Sequence, residues 1–277
     1  MSLKIQLPTV ALSLIAVISV FGSHSLKAGA PVYVGVRSAA SVSIDKIDHT
    51  VWDALLKRYV DKDGMVDYRG FHANAADKAK LNAYLNHLST ANADVAATRE
   101  AKLAFWINAY NAVTVHGILQ KYPTTSIRNH TAKVVGYNIW HDLQLMVGGK
   151  PFSLDSMEHK ILRKMSEPRI HFAIVCASKG CPRLLNEAFV ASKMEQQLEV
   201  NTKDFFSRPH NFKHDPNSNK LYLSAIMDWF GGDFGATKAQ QLARIAPWLP
   251  ASSQQAARTA GTKVAFLDYD WGLNAQR

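Results

Sequence analysis

Only two of the 277 residues are cysteine, and both stand in one stretch, "RIHFAIVCASKGCPRL" at 169–184, with His171 a few positions upstream. Four readings follow: a reactive thiol site, a disulfide, a metal clip, or a buried strand that happens to contain sulfur. Other signatures are missing. The chain has no Gly-rich phosphate loop and no H-E-x-x-H, so no cofactor is indicated and no motif names the substrate. It has no internal repeat and no low-complexity tract. No run of Lys or Arg exceeds two, although 32 basic against 22 acidic residues give a net charge of +10. Such scattered charge suits a basic soluble protein, and also one that meets nucleic acid, a lipid surface or a cell-wall polymer.

A bilayer-length run is absent too. The apolar part of "LPTVALSLIAVISVFG" is shorter than the roughly 20 residues a spanning helix needs. With Lys4 before it and the small-residue stretch "SHSLKAGA" behind it, residues 1–28 read as a secretory signal peptide cleaved between positions 22 and 30. An uncleaved anchor is the alternative. No cysteine closes the apolar run, which excludes a lipoprotein anchor, and after cleavage no stable span remains. The expected location is periplasmic or secreted, which removes nucleic acid as a partner. Thiols in that compartment tend to oxidise, so a Cys176–Cys181 disulfide competes with a free thiol.

Helical spacing marks residues 49–60, through Val51, Trp52, Leu55, Leu56, Tyr59 and Val60, and again 77–91, through Leu81, Tyr84, Leu85 and Leu88. Between them Asp61, Asp63, Gly64 and Asp67 faintly resemble a calcium loop without its closing Glu, so a helix-to-strand turn is expected. The segment 99–122 is apolar on nearly every side and should run through the middle of the fold. It nevertheless carries Asn108, Asn111 and His116. The two asparagines share a face and either tie the helix to a neighbouring backbone or line a site. Leu143–Val147, Gly148-Gly149 and the following strand read as a hairpin leading into a helix near Ser153. On that helix Glu158 falls in an apolar stripe with Leu154, Ile161 and Met165. A carboxylate there is either ion-paired, with Arg163, Arg169 or His171 nearby, or has a raised pKa.

The β-branched and aromatic run "RIHFAIVC" is expected to be a buried strand with His171 and Cys176 on opposite faces. The loop "ASKGCPRL" then returns Cys181 toward either. A thiolate at neutral pH needs a neighbouring base or positive field, and a His held by a carboxylate supplies one. One C-x4-C pair with one His falls short of a four-ligand metal set, although His116, His141 or His159 could complete it. The spacing also differs from the C-x-x-C of dithiol oxidoreductases. Ser192 and Glu195 are spaced as a capping box. Residues 211–230 read as strand, turn, strand and short helix capped by Ser224. A late strand carries Asp268 and Asp270, which with Asn274 could orient a histidine or simply be exposed edge polarity. Helices and strands mixed without regular alternation give an α+β class.

Five ordered motifs, "FWINAYNAVTVHGIL", "FSLDSMEHKILR", "RIHFAIVCASKGCPRL", "LYLSAIMDWFGGDF" and "FLDYDWGLN", together resemble the domain of unknown function 547 family over residues 48–274. Its members include exported bacterial proteins and the C-terminal part of plant leucine-zipper proteins. The resemblance implies one family domain over 40–277. It also implies a long central helix packed on a mostly antiparallel sheet, similar to the papain and transglutaminase folds. Asn108 and Asn111 stand where a papain-like helix would begin with its cysteine, so thiol catalysis would use the order Glu158, His171, then Cys181 or Cys176.

Three functions remain open. The first is a thiol-dependent hydrolase or acyltransferase of the cell envelope, with Cys181 as nucleophile, His171 as base and Glu158 as orienter. Its oxyanion donors would be the 177–181 amides or Asn108 and Asn111, with His116 and Arg169 as further binding candidates. The second is a non-catalytic binding or scaffold domain with a Cys176–Cys181 disulfide. The third is a metal-dependent or redox accessory protein. The expected partner is an envelope peptide or small molecule, the expected state a monomer, and no metal or cofactor is assigned.

Overall fold

The computed structural model describes residues 29–37, 42–132 and 136–277. The segment read as a signal peptide, 1–28, lies outside them. Strands β1 (Val32–Val34) and β2 (Val42–Ser43) lead into helices α1 (Thr50–Tyr59), α2 (Tyr68–Ala73) and α3 (Ala75–Ser89). After β3 (Ala91–Asn92) come α4 (Arg99–Gln120), α5 (Ile139–Asp142), β4 (Leu143–Val147), β5 (Lys150–Ser153) and α6 (Leu154–Ser156). The helix α6 runs on through a π-helical turn, Met157–Leu162, and a 3-10 turn, Arg163–Met165. The remainder is α7 (Met194–Ser207), β6 (Phe212–Asp215), β7 (Lys220–Ser224), α8 (Ala225–Trp229), α9 (Lys238–Ile245), α10 (Ala251–Arg258) and β8 (Lys263–Leu267). Among the described residues no helix is long and apolar enough to cross a membrane.

The fold is α+β, with α4 as its axis. Thr98 caps α4 by accepting from the Ala101 amide, which satisfies one of the free N-terminal donors. Every residue from Leu103 to Leu119 is buried. Burial on all sides is what an apolar sequence without a polar face requires. Gly117 lets α4 approach closely, since a Cβ there would lie 2.7 Å from Leu143 and 2.8 Å from Ile139. Among the described residues the strands form small mixed sheets rather than one mostly antiparallel sheet. Three short sheets replace it: β1 parallel to β4 and β4 antiparallel to β5, β2 parallel to β3, and β6 antiparallel to β7 with β7 parallel to β8. The axis packs on α3, β4 and the π turn as well as on strand.

Two apolar clusters result. The larger surrounds α4 and gathers α1, α3, β4 and the 173–189 segment. The smaller joins Phe172, Phe205, Phe206, Phe212 and Phe234 to β7 and α9.

The hairpin at Gly148-Gly149 and the Ser224 cap, which accepts from the Ile226 amide, form as the sequence predicts. The Asp61 region is a tight turn in which Asp61 Oδ1 accepts from the amides of Asp63 and Met65. It leads through one bridge, Val60 to Val66, into α2 rather than into a strand. The predicted strand at 169–176 does not form. Pro168–Phe172 is a 3-10 helix and the chain beyond it is irregular. Proline at the first helical position favours that turn, and side chains take the backbone groups that a sheet ladder would have used. Asn111 donates to Ala173 O and accepts from the Val175 amide, both at 2.9 Å. Asn108 clasps Phe189 the same way, at 2.7 and 3.0 Å, and Asn201 donates to Phe172 O and Arg183 O. The Ser192 capping box also fails, because α7 begins two residues later and Glu195 is engaged by Arg169.

Candidate functional site

Cys176 follows the clamped 173–175 backbone, and the next residue, Ala177, has φ 56°. A non-glycine residue in the left-handed region costs about 1–2 kcal/mol and persists only where its surroundings fix it. Here the C-terminal segment does so. Asn274 donates its amide to Ala177 O, Lys179 donates to Gly272 O and Gly180 to Asp270 O. The turn closes when the Cys181 amide meets Ser178 O at 3.1 Å. This brings Cys181 back onto Cys176, whose own amide donates to Cys181 Sγ at 3.0 Å.

Both thiols are free, and one phenol serves them. The Tyr269 hydroxyl is 3.2 Å from Cys176 Sγ and 3.0 Å from Cys181 Sγ. Burial and the two sulfurs keep Tyr269 protonated, so it donates to one sulfur at a time. The Cys181 thiol also hydrogen-bonds Cys176, and this contact outweighs burial to bring Cys176 down to about 7. Cys181 moves the opposite way, pushed up by burial and by its partner. The first proton the pair loses therefore leaves Cys176 as a thiolate, with Cys181 retained as a thiol.

Glu158 sits in the π turn, a helix irregularity frequent at functional sites, and is buried as its place in the apolar stripe predicts. Burial first, then the Cys176 thiolate, pushes its carboxyl up to about 7. Its Oε2 lies 3.5 Å from the Tyr110 hydroxyl, and its Oε1 is 3.9 Å from His171 Nδ1. The other face of His171 is fixed, with Nε2 2.8 Å from Asp233 Oδ2 and the ring stacked on Phe230 at 4.2 Å. Asp233 is held below the usual carboxylate range by the two-pronged Arg163 bond, at 2.7 and 2.8 Å, and then by His171. An ionised Asp233 requires the proton on Nε2. Burial holds His171 below the ordinary histidine range despite Asp233, so the ring is neutral and offers Nδ1 to Glu158.

These groups face a cavity of about 140 Å³ walled by Trp140, Ile174, Ile226, Phe230 and Trp271. Of the residues singled out in the sequence, Cys176, Cys181, His171 and Glu158 all line it. Cys176 is the more exposed thiol and Cys181, the expected nucleophile, is buried. Strand alternation, which separated His171 from Cys176, does not apply to an irregular segment.

The expected binding residues lie elsewhere. Asn108 and Asn111 are committed to backbone and cannot serve as oxyanion donors. His116 lines a separate cavity of about 480 Å³ beside β1 and α3, where burial lowers it to about 4. Arg169 pairs with Glu167 and Glu195 rather than with Glu158. Asp270 and Asn274 support the thiol loop and do not orient His171. Among the described residues no group of three or more His, Cys, Asp or Glu could hold a metal ion. Sequence reasoning missed Asp233 and Tyr269. The Asp in the otherwise aromatic and glycine run "WFGGDF" was the available signal for the first.

Residues 95–206 match the family model described as "Protein of unknown function, DUF547". This segment belongs to the DUF547 family. The matched span is shorter than the 48–274 of the motif resemblance. The DUF547 segment supplies both thiols, Glu158, His171, Arg163 and Tyr110, whereas Asp233 and Tyr269 come from the chain beyond it. No curated protein and no solved structure matches the chain, so the papain and transglutaminase likeness gains no support there.

Proposed function

We propose that the protein is a thiol-dependent acyltransferase or hydrolase whose nucleophile is Cys176. One observation carries this reading: Cys176 and Glu158 line the same small apolar cavity, where the thiol is drawn down to about 7 and the carboxyl pushed up to about 7. Thiolate and carboxylate repel, so near neutral pH the two share one proton. The form with thiolate on Cys176 and the proton on Glu158 pairs a nucleophile with a general acid. Cys176 attacks an acyl carbonyl, Glu158 protonates the departing group, and an acyl-thioester remains. A second nucleophile, water or an acceptor, then gives its proton to the Glu158 carboxylate and takes the acyl group. His171, fixed by Asp233, positions Glu158 and does not itself take the thiol proton. The Tyr269 hydroxyl is the candidate oxyanion donor, with the Ala177 and Ser178 amides, since the other loop amides are committed.

Cavity size supports a limit on the substrate. A cavity of about 150 Å³ accommodates a benzene ring, so an uncharged acyl group up to ring size fits and a long chain does not. The apolar N-terminal stretch supports export, and with it an envelope peptide or small molecule as substrate. The scaffold alternative, with its permanent Cys176–Cys181 disulfide, has no use for the buried Glu158 and His171 that line the cavity with the thiols.

Acetyl, benzoyl and decanoyl thioesters test the reading by intact mass and turnover. The expected result is an acyl adduct on Cys176 with the first two and none with decanoyl. Acylation should follow a bell-shaped pH profile with its maximum near 7. Glu158→Gln should lower acylation at its maximum and leave the residual rate without an alkaline limb, because an amide neither supplies the proton that Glu158 gives nor titrates in this range. Absence of any adduct on Cys176 between pH 6 and 8 would end this reading.

A further inference from the structure

The two sulfurs differ in a way that acyl transfer does not use. Acyl transfer needs one thiol, yet Cys181 is placed against Cys176 by the Ser178 turn, by the Cys176 amide and by a shared Tyr269 hydroxyl. The backbone between them is held in an unfavourable left-handed conformation at Ala177 and tied at three points to residues 270–274. The held loop sets Cys181 Sγ on the Cys176 amide and under the same Tyr269 hydroxyl as Cys176 Sγ. Their access is unequal, since Cys176 is partly exposed at the cavity and Cys181 is buried.

We propose that the pair carries a second activity, thiol–disulfide exchange with small uncharged organic disulfides. The inference does not rest on the acyl-transfer reading, because it uses both sulfurs and neither Glu158 nor His171. Cys176 thiolate attacks one sulfur of the substrate disulfide, forming a mixed disulfide and releasing the first substrate thiolate. Cys181, whose sulfur rests on the Cys176 amide, then attacks Cys176 Sγ. The Cys176–Cys181 bond forms, the bond from Cys176 to the substrate breaks, and the second substrate half leaves as thiolate while the Cys181 proton passes to solvent. Two electrons move from the dithiol to the substrate disulfide, so one disulfide is reduced and one is made. Exposure sets the order, because the outer sulfur is reached first and the inner one resolves.

Dithiodipyridine is the probe, since it is neutral and each half is a single ring that matches the cavity. One molar equivalent is added to the folded, reduced protein, and released thiopyridone and intact mass are followed. Wild type is expected to release both halves of the reagent per chain, carry no adduct and lose two hydrogens. Cys181→Ser should release one half and retain the other on Cys176. Release of both halves with loss of two hydrogens reads this activity and an acyl adduct on Cys176 reads the other, which separates the failure of one reading from the failure of the other. Wild-type protein that keeps a stable pyridyl adduct with no loss of two hydrogens would overturn the inference, whatever the variants do. So would faster labelling of Cys181 in Cys176→Ser than of Cys176 in Cys181→Ser.

Discussion

The two apolar clusters are held together by different means. Around α4, aliphatic and aromatic side chains pack with buried amides among them, and Asn108 and Asn111 pin loops that have no regular structure of their own. The smaller cluster relies on phenylalanine rings, with Phe172 at 4.6 Å from Phe205, 5.1 Å from Phe206 and 5.6 Å from Phe234. The cavity lies on the seam. Tyr110, Ile174 and Cys181 reach it from the larger cluster, Ile226 and Phe230 from the smaller, and Tyr269 packs against both. The difference teaches where the chemistry is fixed. Hydrogen bonds with strict geometry hold the sulfurs, while on the other side ring packing places Phe230 and the Arg163–Asp233 pair orients His171.

That division can be broken from either side. Phe205→Ala in the smaller cluster should have a large effect, about 3–5 kcal/mol for a fully buried ring. Hydrogen exchange should rise in β6, β7 and β8 while α4 keeps its protection; uniform loss of protection would show that the clusters melt as one. Asn111→Ala should cost a comparable amount, on the order of 2–6 kcal/mol. It leaves the Val175 amide and the Ala173 carbonyl buried without a partner, at about 1–3 kcal/mol for each group. Denaturant titration measures the loss, and labelling of Cys176 should lose its preference over Cys181 as the clamp disappears. Retained preference would mean that Asn111 does not position the thiol.

Glu158→Gln gives the smallest and most selective change. The raised folded-state pKa makes a protonated Glu158 favourable below the unfolded value of 4.5, and this contribution fades as pH rises through about 7. At pH 8 the buried carboxylate costs the wild type about 3 kcal/mol, so the amide should be the more stable protein there and nearly equal to it at pH 4. Equal stabilities at both pH values would place Glu158 in a far wetter setting than its burial implies.

Much of this architecture could be read from residue order. The all-apolar stretch at 99–122, the Gly148-Gly149 hairpin, the Ser224 cap and a carboxyl in the stripe at 158 are local patterns, and each forms as expected. The segment 169–190 was unreadable for a physical reason. "HFAIVC" has strand propensity, but Asn111 and Asn201 occupy its backbone from positions far away in sequence, and a propensity cannot register a distant competitor. Asp233 reaches His171 across 62 residues for the same reason. Cys176 and Cys181 were visible as a pair, whereas their unequal exposure depends on the Ser178 turn and the C-terminal segment.

The tie between the 177–181 loop and residues 270–274 has a practical consequence. A partly folded or truncated chain can retain both cysteines and much of its helix content yet lack the contact that lowers one thiol and raises the other. The ratio of the two labelling rates is therefore an internal gauge of whether the whole polypeptide has reached its native arrangement, and it needs no reporter beyond the thiol reagent itself.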